Sequence, residues 1–362
     1  MKILFTNSIG KNKWGGGEKW MILTAKGLQE KGYEVSIGCL PYSILEKKSL
    51  ENNIPVVRFD IRSDLSFAGA LQLRKYINEN KPDVVIATQN RDVLFAGLAV
   101  DKSHSTAIIA RHGVQLIKKN IKHKLIYKNL CDGVIVNTKS IKRVYDSYKW
   151  WGDDFVKVVY NGIDIACDSN EKFDLKNYIP GFNNKFKKIV SIGRLSNQKG
   201  FKYLIDAAVD ILKEHPDSYF LIVGQGKEKR RLSKRVQKLN LQDKVFILPF
   251  QDNVYKLLNV ADLFVLPSLY EGMPNVVMEA LSCKVPVICT KVNGAEELFG
   301  TENSNCLIAP ADKNVLRDAI LRFLDSGNPE YDVDRVFDRV KTNYSLNGMI
   351  NNIDACIKNI VK

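Results

Sequence analysis

The feature that most constrains the fold is an alternation that runs twice along the chain. Short apolar runs of strand length (Lys2–Thr6, Glu34–Cys39, Val56–Phe59, Val84–Thr88, Ala107–Arg111 and Gly133–Asn137) are separated by stretches with helical spacing. Glu18–Lys31, with Trp20, Leu23, Ala25 and Leu28, is one such stretch and Gly69–Asn80 another. After Asn161-Gly162-Ile163-Asp164 comes a polar segment, Cys167–Lys187, that reads as a connector. The alternation then restarts with Lys188–Ile192 (strand), Phe201–Glu214 (helix), Tyr219–Val223 (strand) and Lys227–Leu239 (helix). It continues through Val245–Leu248, Val254–Asn259, Leu263–Pro267, Asn275–Ser282, Val287–Thr290 and a closing helix, Lys313–Asp325. Strand, helix, strand alternation dictates a mainly parallel sheet covered on both faces. At 362 residues the chain exceeds the roughly 250–300 that one hydrophobic core sustains, so two α/β halves are expected with a seam near 164–187.

Composition narrows the partners. The net charge of +14 favours an anionic partner: a phosphate, a nucleic acid or a membrane surface. The seven cysteines include no Cys-x-x-Cys pair and the four histidines show no ligand spacing, so neither a disulfide framework nor a metal site is expected, and the compartment reads as reducing. The N-terminal MKILFTNSIG reads as a first strand rather than a signal peptide, and no run of about 18 apolar residues is present to span a bilayer. A cytoplasmic protein with at most peripheral membrane contact is expected.

In open α/β sheets ligands bind beyond the carboxyl ends of the strands, so the loops that follow strands carry the chemistry. The first, Asn7–Gly17, ends in Gly15-Gly16-Gly17 and lacks both the Walker and the G-x-G-x-x-G spacing. Glycines there let backbone approach a ligand, and the helix start near Glu18 favours an anion. The second, Gly193–Gly200, brackets a polar loop with Arg194 and Lys199, a cation pair suited to a diphosphate without a metal. The third is Gly224-Gln225-Gly226. The fourth, Pro267–Ala280, holds Glu271 and Glu279 around Pro274, which suits the first turn of a helix. Backbone N–H groups of Met273, Asn275 and Val276 would then face the ligand. Carboxylates next to a phosphate site suit sugar or ribose hydroxyls, or positive charge developing on a sugar carbon.

Taken together and in this order, these elements resemble the retaining glycosyltransferases of GT-B architecture, most like glycosyltransferase family 4 (group 1), over nearly the whole chain and most strongly in Ile189–Leu298. The resemblance implies two Rossmann-like parallel-sheet domains facing a central cleft: an acceptor-side domain of residues 1–163 plus about 344–362, and a donor-side domain of 164–343. It implies that Glu271 and Glu279 form the family's E-x7-E element, with Glu271 beside the donor sugar and Glu279 on the ribose. Arg194 and Lys199 would grip the diphosphate, Gly16 and Gly17 approach the phosphate and acceptor, and His112 lie near the reacting sugar. Pro274 departs from the family's frequent glycine and cannot donate an N–H, which leaves sugar contacts to Met273 and Asn275. The base would lie along Phe246–Phe250, near Leu248, with Gly226 on the neighbouring loop. The activity implied is metal-independent transfer, without a cofactor, from a UDP-sugar (or GDP-mannose) to an acceptor hydroxyl. Asp332-Val333-Asp334, the only D-x-D, reads as surface.

The charge has a local centre. Arg111–Lys128 holds six basic residues and no acidic one, interleaved with Leu116, Ile117, Ile121, Leu125, Ile126 and Tyr127. Lys139–Trp151 adds Tyr145, Tyr148, Trp150 and Trp151. Both are read as surfaces for an anionic bilayer presenting a lipid-linked saccharide acceptor, as in bacterial-type cell-surface glycan assembly. The rival readings are a phosphorylase or synthase acting on a soluble sugar, and a non-catalytic nucleotide-sugar binder. Nucleic-acid binding is disfavoured, because the aromatics do not interleave with the charges on a recognisable module.

Overall fold

The computed structural model describes residues 1–100, 106–165 and 173–361. The chain divides into two compact units, Met1–Gly162 with Leu346–Lys362, and Ile163–Ser345. The first part of the expected connector lies outside the described residues.

In the first unit strands and helices alternate: β1 (Lys2–Asn7), α1 (Gly16–Glu30), β2 (Glu34–Cys39), α2 (Ile44–Glu51), β3 (Val56–Arg58), α3 (Phe67–Asn80), β4 (Val84–Ala87), α4 (Asn90–Ala99), β5 (Ala107–His112), α5 (Ile121–Asn129), β6 (Gly133–Val136), α6 (Lys139–Asp146) and β7 (Val156–Val158). Among the described residues its strands form one parallel sheet ordered β3-β2-β1-β4-β5-β6-β7. β4 and β6 are buried at every position, as strands covered on both faces must be, and this is why they stand out as unbroken apolar runs. The edge strand β7, Val-Lys-Val, is too short and too polar to show that pattern and was not expected.

The second unit runs β8 (Lys187–Ile192), α7 (Phe201–Glu214), β9 (Ser218–Val223), α8 (Lys229–Lys238), β10 (Val245–Leu248), α9 (Tyr255–Leu258), β11 (Leu263–Leu266), α10 (Asn275–Ser282), β12 (Val287–Thr290), α11 (Ala295–Phe299), β13 (Leu307–Ile308), α12 (Lys313–Ser326) and α13 (Val333–Asn343). Its parallel sheet, β10-β9-β8-β11-β12-β13, repeats the order of the first. α7 turns Leu204, Ile205, Ala208 and Ile211 inward at helical spacing onto Phe220 and Ile222 of β9. α12 is not the closing helix: α13 follows it, and Asp332 caps α13 by accepting from the Arg335 N–H at 3.0 Å, so the D-x-D sequence is a helix start.

The final helix, α14 (Leu346–Val361), packs with the first unit. Met349, Ile350, Ile353 and Ile357 join the core under α1, and Gly27 of α1 is small where Ile350 presses in, since a Cβ there would fall 2.1 Å from Ile350 Cδ1. At the rim Asp354 accepts from the Tyr33 hydroxyl at 2.5 Å and from Lys358 at 3.1 Å. Among the described residues no helix is long and apolar enough to cross a membrane. Cys39, Cys131, Cys289, Cys306 and Cys356 are free thiols, whereas Cys283 is disulfide-bonded.

Candidate functional site

Each sheet reverses its winding once, between β1 and β4 in the first unit and between β8 and β11 in the second. The carboxyl ends of the strands flanking such a reversal are where open α/β sheets bind ligands. In the second unit these ends carry the loops Gly193–Gly200 and Pro267–Pro274, and the structure stitches the two together. Lys199 Nζ lies 2.7 Å from Glu271 Oε1, and Ser268 Oγ donates to the same oxygen at 2.6 Å. The backbone joins them as well: the Leu269 N–H donates to Gln198 O at 2.7 Å, and Gln198 Nε2 donates to Tyr270 O at 2.9 Å. Lys199 and Glu271 side chains are only 15% and 9% exposed, so their attraction is weakly screened by solvent.

Glycine makes this approach possible. Gly200 sits at φ +64°, and a Cβ there would lie 1.9 Å from the Pro267 carbonyl oxygen. Gly226, on the loop after β9, similarly leaves room for the Leu195 carbonyl, 2.3 Å from where its Cβ would be. The Leu195 N–H donates to Gln225 O at 2.9 Å and the Glu228 N–H to Leu195 O at 3.0 Å, which fixes the loops after β8 and β9 against each other. Arg194 stands exposed on this rigid platform.

The fourth loop enters α10. Pro274 is the residue just before the helix, which starts at Asn275 as expected, and it gives no side-chain cap to the first turn at Asn275 and Val276. Met273 is buried, Asn275 and Val276 are half-buried, and Glu279 is buried one turn further on. The Tyr255 hydroxyl, whose pKa is raised by burial and further by the Glu279 carboxylate, donates to Asp164 O at 2.7 Å. Leu248 ends β10 with its side chain buried and its carbonyl accepting the Gly224 N–H at 3.1 Å, so the open backbone beyond it belongs to the exposed Pro249 and Phe250.

In the first unit the equivalent ends carry Gly15–Gly17 and the start of α4. α1 begins at Gly16, two residues earlier than expected; Gly15 gives it no side-chain cap, and nothing lies within 4 Å of a Cβ built at Gly17. Behind this open turn is a buried polar cluster. Arg111 lies 4.0 Å over the Trp20 ring and donates to Asn161 Oδ1 at 2.6 Å. Burial lowers the Arg111 pKa to about 9, against the opposing pull of the Glu18 carboxylate. Asp92 accepts from the Ser8 N–H at 3.1 Å, and burial raises its pKa to about 6.

His112, at the end of β5, is buried. Its ring is fully buried, with Nδ1 3.1 Å from the Tyr145 hydroxyl and Nε2 3.1 Å from the Tyr127 hydroxyl. Tyr127 in turn donates to Asn90 Oδ1 at 2.6 Å, and Tyr145 accepts from the Leu116 and Ile117 N–H groups. Burial, with the nearby Arg111 charge, pushes the His112 pKa down to about 3. With both nitrogens engaged by tyrosine hydroxyls, the ring braces the loop after β5. Among the described residues no three His, Cys, Asp or Glu side chains gather as a metal site.

Residues 14–166 match Glycosyltransferase Family 4 and residues 173–335 match Glycosyl transferases group 1. The chain belongs to the group 1 (family 4) glycosyltransferases of GT-B fold. It is 33% identical over 60% of its length to an uncharacterised glycosyltransferase of Methanocaldococcus jannaschii, covering 58% of that protein. It is 34% identical over 47% of its length to the UDP-Gal:alpha-D-GlcNAc-diphosphoundecaprenol alpha-1,3-galactosyltransferase of Escherichia coli, covering 45% of it. The crystal structure of Anabaena HepE in complex with UDP-glucose superposes with a TM-score of 0.85 at 20% identity, over 99% of this chain and all of that one.

Within this glycosyltransferase the structure brings Lys199 and Glu271 into contact and sets Arg194 and Gly226 on the adjoining loops. Sequence reasoning missed Ser268 and Gln198, which hold the two loops together, and Glu18 and Asp92, which line the first unit's cluster. Ser268 had a signal, as a hydroxyl three residues before Glu271 on a strand-ending loop. Glu18 and Asp92 had none, because they meet Arg111's cluster from distant parts of the chain.

Proposed function

We propose that this glycosyltransferase moves a sugar from a nucleotide diphosphate sugar, a UDP-sugar in preference to GDP-mannose, to a hydroxyl of a lipid-linked saccharide, with retained anomeric configuration and without a metal or cofactor. The observation that carries the reading is the meeting of Lys199 and Glu271 at the carboxyl ends of β8 and β11. A diphosphate at this reversal finds Arg194, Lys199 and the uncapped first turn of α10 as donors, a preorganised set for the charge that develops on a leaving group. Glu271, bound to Lys199, orients that ammonium and offers its second oxygen to the sugar. Glu279 is placed for the ribose hydroxyls. In the step proposed, the bond from the anomeric carbon to the diphosphate breaks as the acceptor oxygen bonds the same carbon, and a diphosphate oxygen takes the acceptor proton. No protein base is required, which suits the buried state of His112. The lipid-linked acceptor is supported by the diphosphoundecaprenol named for the Escherichia coli relative, and action at the cytoplasmic membrane face belongs to the same reading.

The test is nucleotide release from a panel of UDP- and GDP-sugars in the presence of a chelator, with and without a polyprenyl-diphosphate saccharide. One UDP-sugar should turn over slowly alone and faster with the lipid-linked acceptor. Turnover that needs a soluble sugar phosphate instead would favour the synthase reading, and binding without turnover the non-catalytic one.

A further inference from the structure

The basic stretch of the first unit folds differently from its sequence reading, and the difference exposes a second segment. Of its apolar residues, Ile117, Ile126 and Tyr127 are core, and Leu116 is half-buried. The aromatics of Lys139–Trp151 also turn toward the core: Tyr145 is buried, the half-buried Tyr148, Trp150 and Trp151 pack against the same cluster, and Trp151 stacks on Phe155 at 4.8 Å. On α5 only Ile121 and Leu125 stand out, one turn apart and therefore on one side of the helix. Lys122, beside them, bonds Asp64 at 2.5 Å and so ties α5 to the loop entering α3. That loop and the first two turns of α3 expose Leu65, Phe67 and Leu71. These five large apolar side chains are between 55% and 75% exposed.

We propose that the outer side of α5 and the entry of α3 form one docking face for an anionic phospholipid bilayer. Scattered exposed leucines are ordinary, but five large apolar groups on two segments tied by an ion pair are a patch. The charge around it selects the occupant. The acidic residues of this loop, Asp60 and Asp64, are paired with Arg62 and Lys122. Lys118, Lys119, Lys124 and Lys128 are exposed and hold no ion pair among the described residues. A surface that is apolar at its centre and uncompensated positive around it fits an interface with acyl chains beneath and phosphate above. The inference deepens the lipid-linked reading and rests on it for its purpose, but it is tested by binding alone.

The experiment is sedimentation of the full chain with vesicles of phosphatidylcholine, and of phosphatidylcholine with phosphatidylglycerol in equal parts. The protein should pellet with the second and stay in solution with the first. The pair Lys124→Ala and Lys128→Ala should weaken that partition roughly thirtyfold at low salt. Two apolar pairs, Ile121→Ser with Leu125→Ser and Leu65→Ser with Phe67→Ser, should each weaken it by more than about tenfold. All these positions are exposed, so the variants should keep the wild-type thermal midpoint and rate of nucleotide release from the donor sugar. Unchanged vesicle binding in both apolar pairs would overturn the face. So would a concentration-dependent dimer without vesicles that Leu65→Ser with Phe67→Ser abolishes, since the occupant would then be a second copy. Intact nucleotide release with no vesicle binding would sink this inference alone, and vesicle binding without nucleotide release would sink the transferase reading alone.

Discussion

Replacing Glu271 by Gln separates the two jobs assigned to the Lys199–Glu271 pair. In the wild type one carboxylate oxygen receives the Lys199 ammonium at 2.7 Å and the Ser268 hydroxyl at 2.6 Å. Exposed ion pairs contribute roughly 0–1 kcal/mol, whereas removing one member of a buried pair costs roughly 3–5 kcal/mol. With side chains 15% and 9% exposed this pair lies nearer the buried limit, so Glu271→Gln should lower the stability of the second unit by about 2–3 kcal/mol. Lys199→Met should cost a similar amount. The double variant should cost clearly less than the sum, because it leaves no unpaired charge, with a coupling of at least about 1.5 kcal/mol. Tryptophan fluorescence cannot report this, since Trp14, Trp20, Trp150 and Trp151 all belong to the first unit. Hydrogen exchange at the amides of β8 and β11 can. On the ligand side, Glu271→Gln should bind UDP as tightly as the wild type or more so, the ammonium being freed, while turnover falls by orders of magnitude. Lys199→Met should lose both. Additive stability effects, or equal loss of UDP affinity in the two single variants, would refute the reasoning.

Gly200→Ala should destabilise by more than about 2 kcal/mol and weaken UDP binding, because a positive φ and the Pro267 carbonyl both oppose a side chain. Gly327→Ala is its control, with φ +71° but nothing within 4 Å of the added carbon, and should cost only about 1 kcal/mol in the same denaturation series. His112 titrates near 3 when folded against an ordinary value of 6.5, so the unfolded chain binds more protons in between and stability rises with pH across that window. Acidification to about pH 5 should cost about 2 kcal/mol, and His112→Gln should flatten that slope in denaturant titrations. Asp354→Ala, which removes the acceptor of Tyr33 and Lys358, should cost about 2 kcal/mol and speed hydrogen exchange along α14.

Legibility in the sequence followed burial. The parallel strands announced themselves because both their faces are covered, which leaves runs such as Tyr219–Val223 with no polar position; β10, α7, α10 and β12 fall where periodicity placed them. The pattern weakened where the chain meets solvent. β7 is an edge strand with Lys157 at its centre, and α13 begins inside a run of charges. Lys199 and Glu271 stood out because each lies on a strand-following loop, and the strand order brings those loops side by side. The surroundings of His112 were not legible, because position at a strand end says nothing of rotamer. Two tyrosines from α5 and α6 claim its nitrogens, and those contacts exist only after folding. The membrane reading had the same weakness: a linear stretch of Lys and Leu does not show which apolar side chains the core will take.

The strand-end loops of the second unit are proposed to hold a nucleotide diphosphate. Calorimetric titration of UDP, with uridine as comparison and a chelator present, tests this most directly. UDP should bind the wild type while uridine does not, and the Arg194→Met, Lys199→Met double variant should lose at least about a hundredfold in affinity, the scale of two charge-assisted contacts to phosphate. UDP binding that is absent, or unchanged in the double variant, would contradict the account.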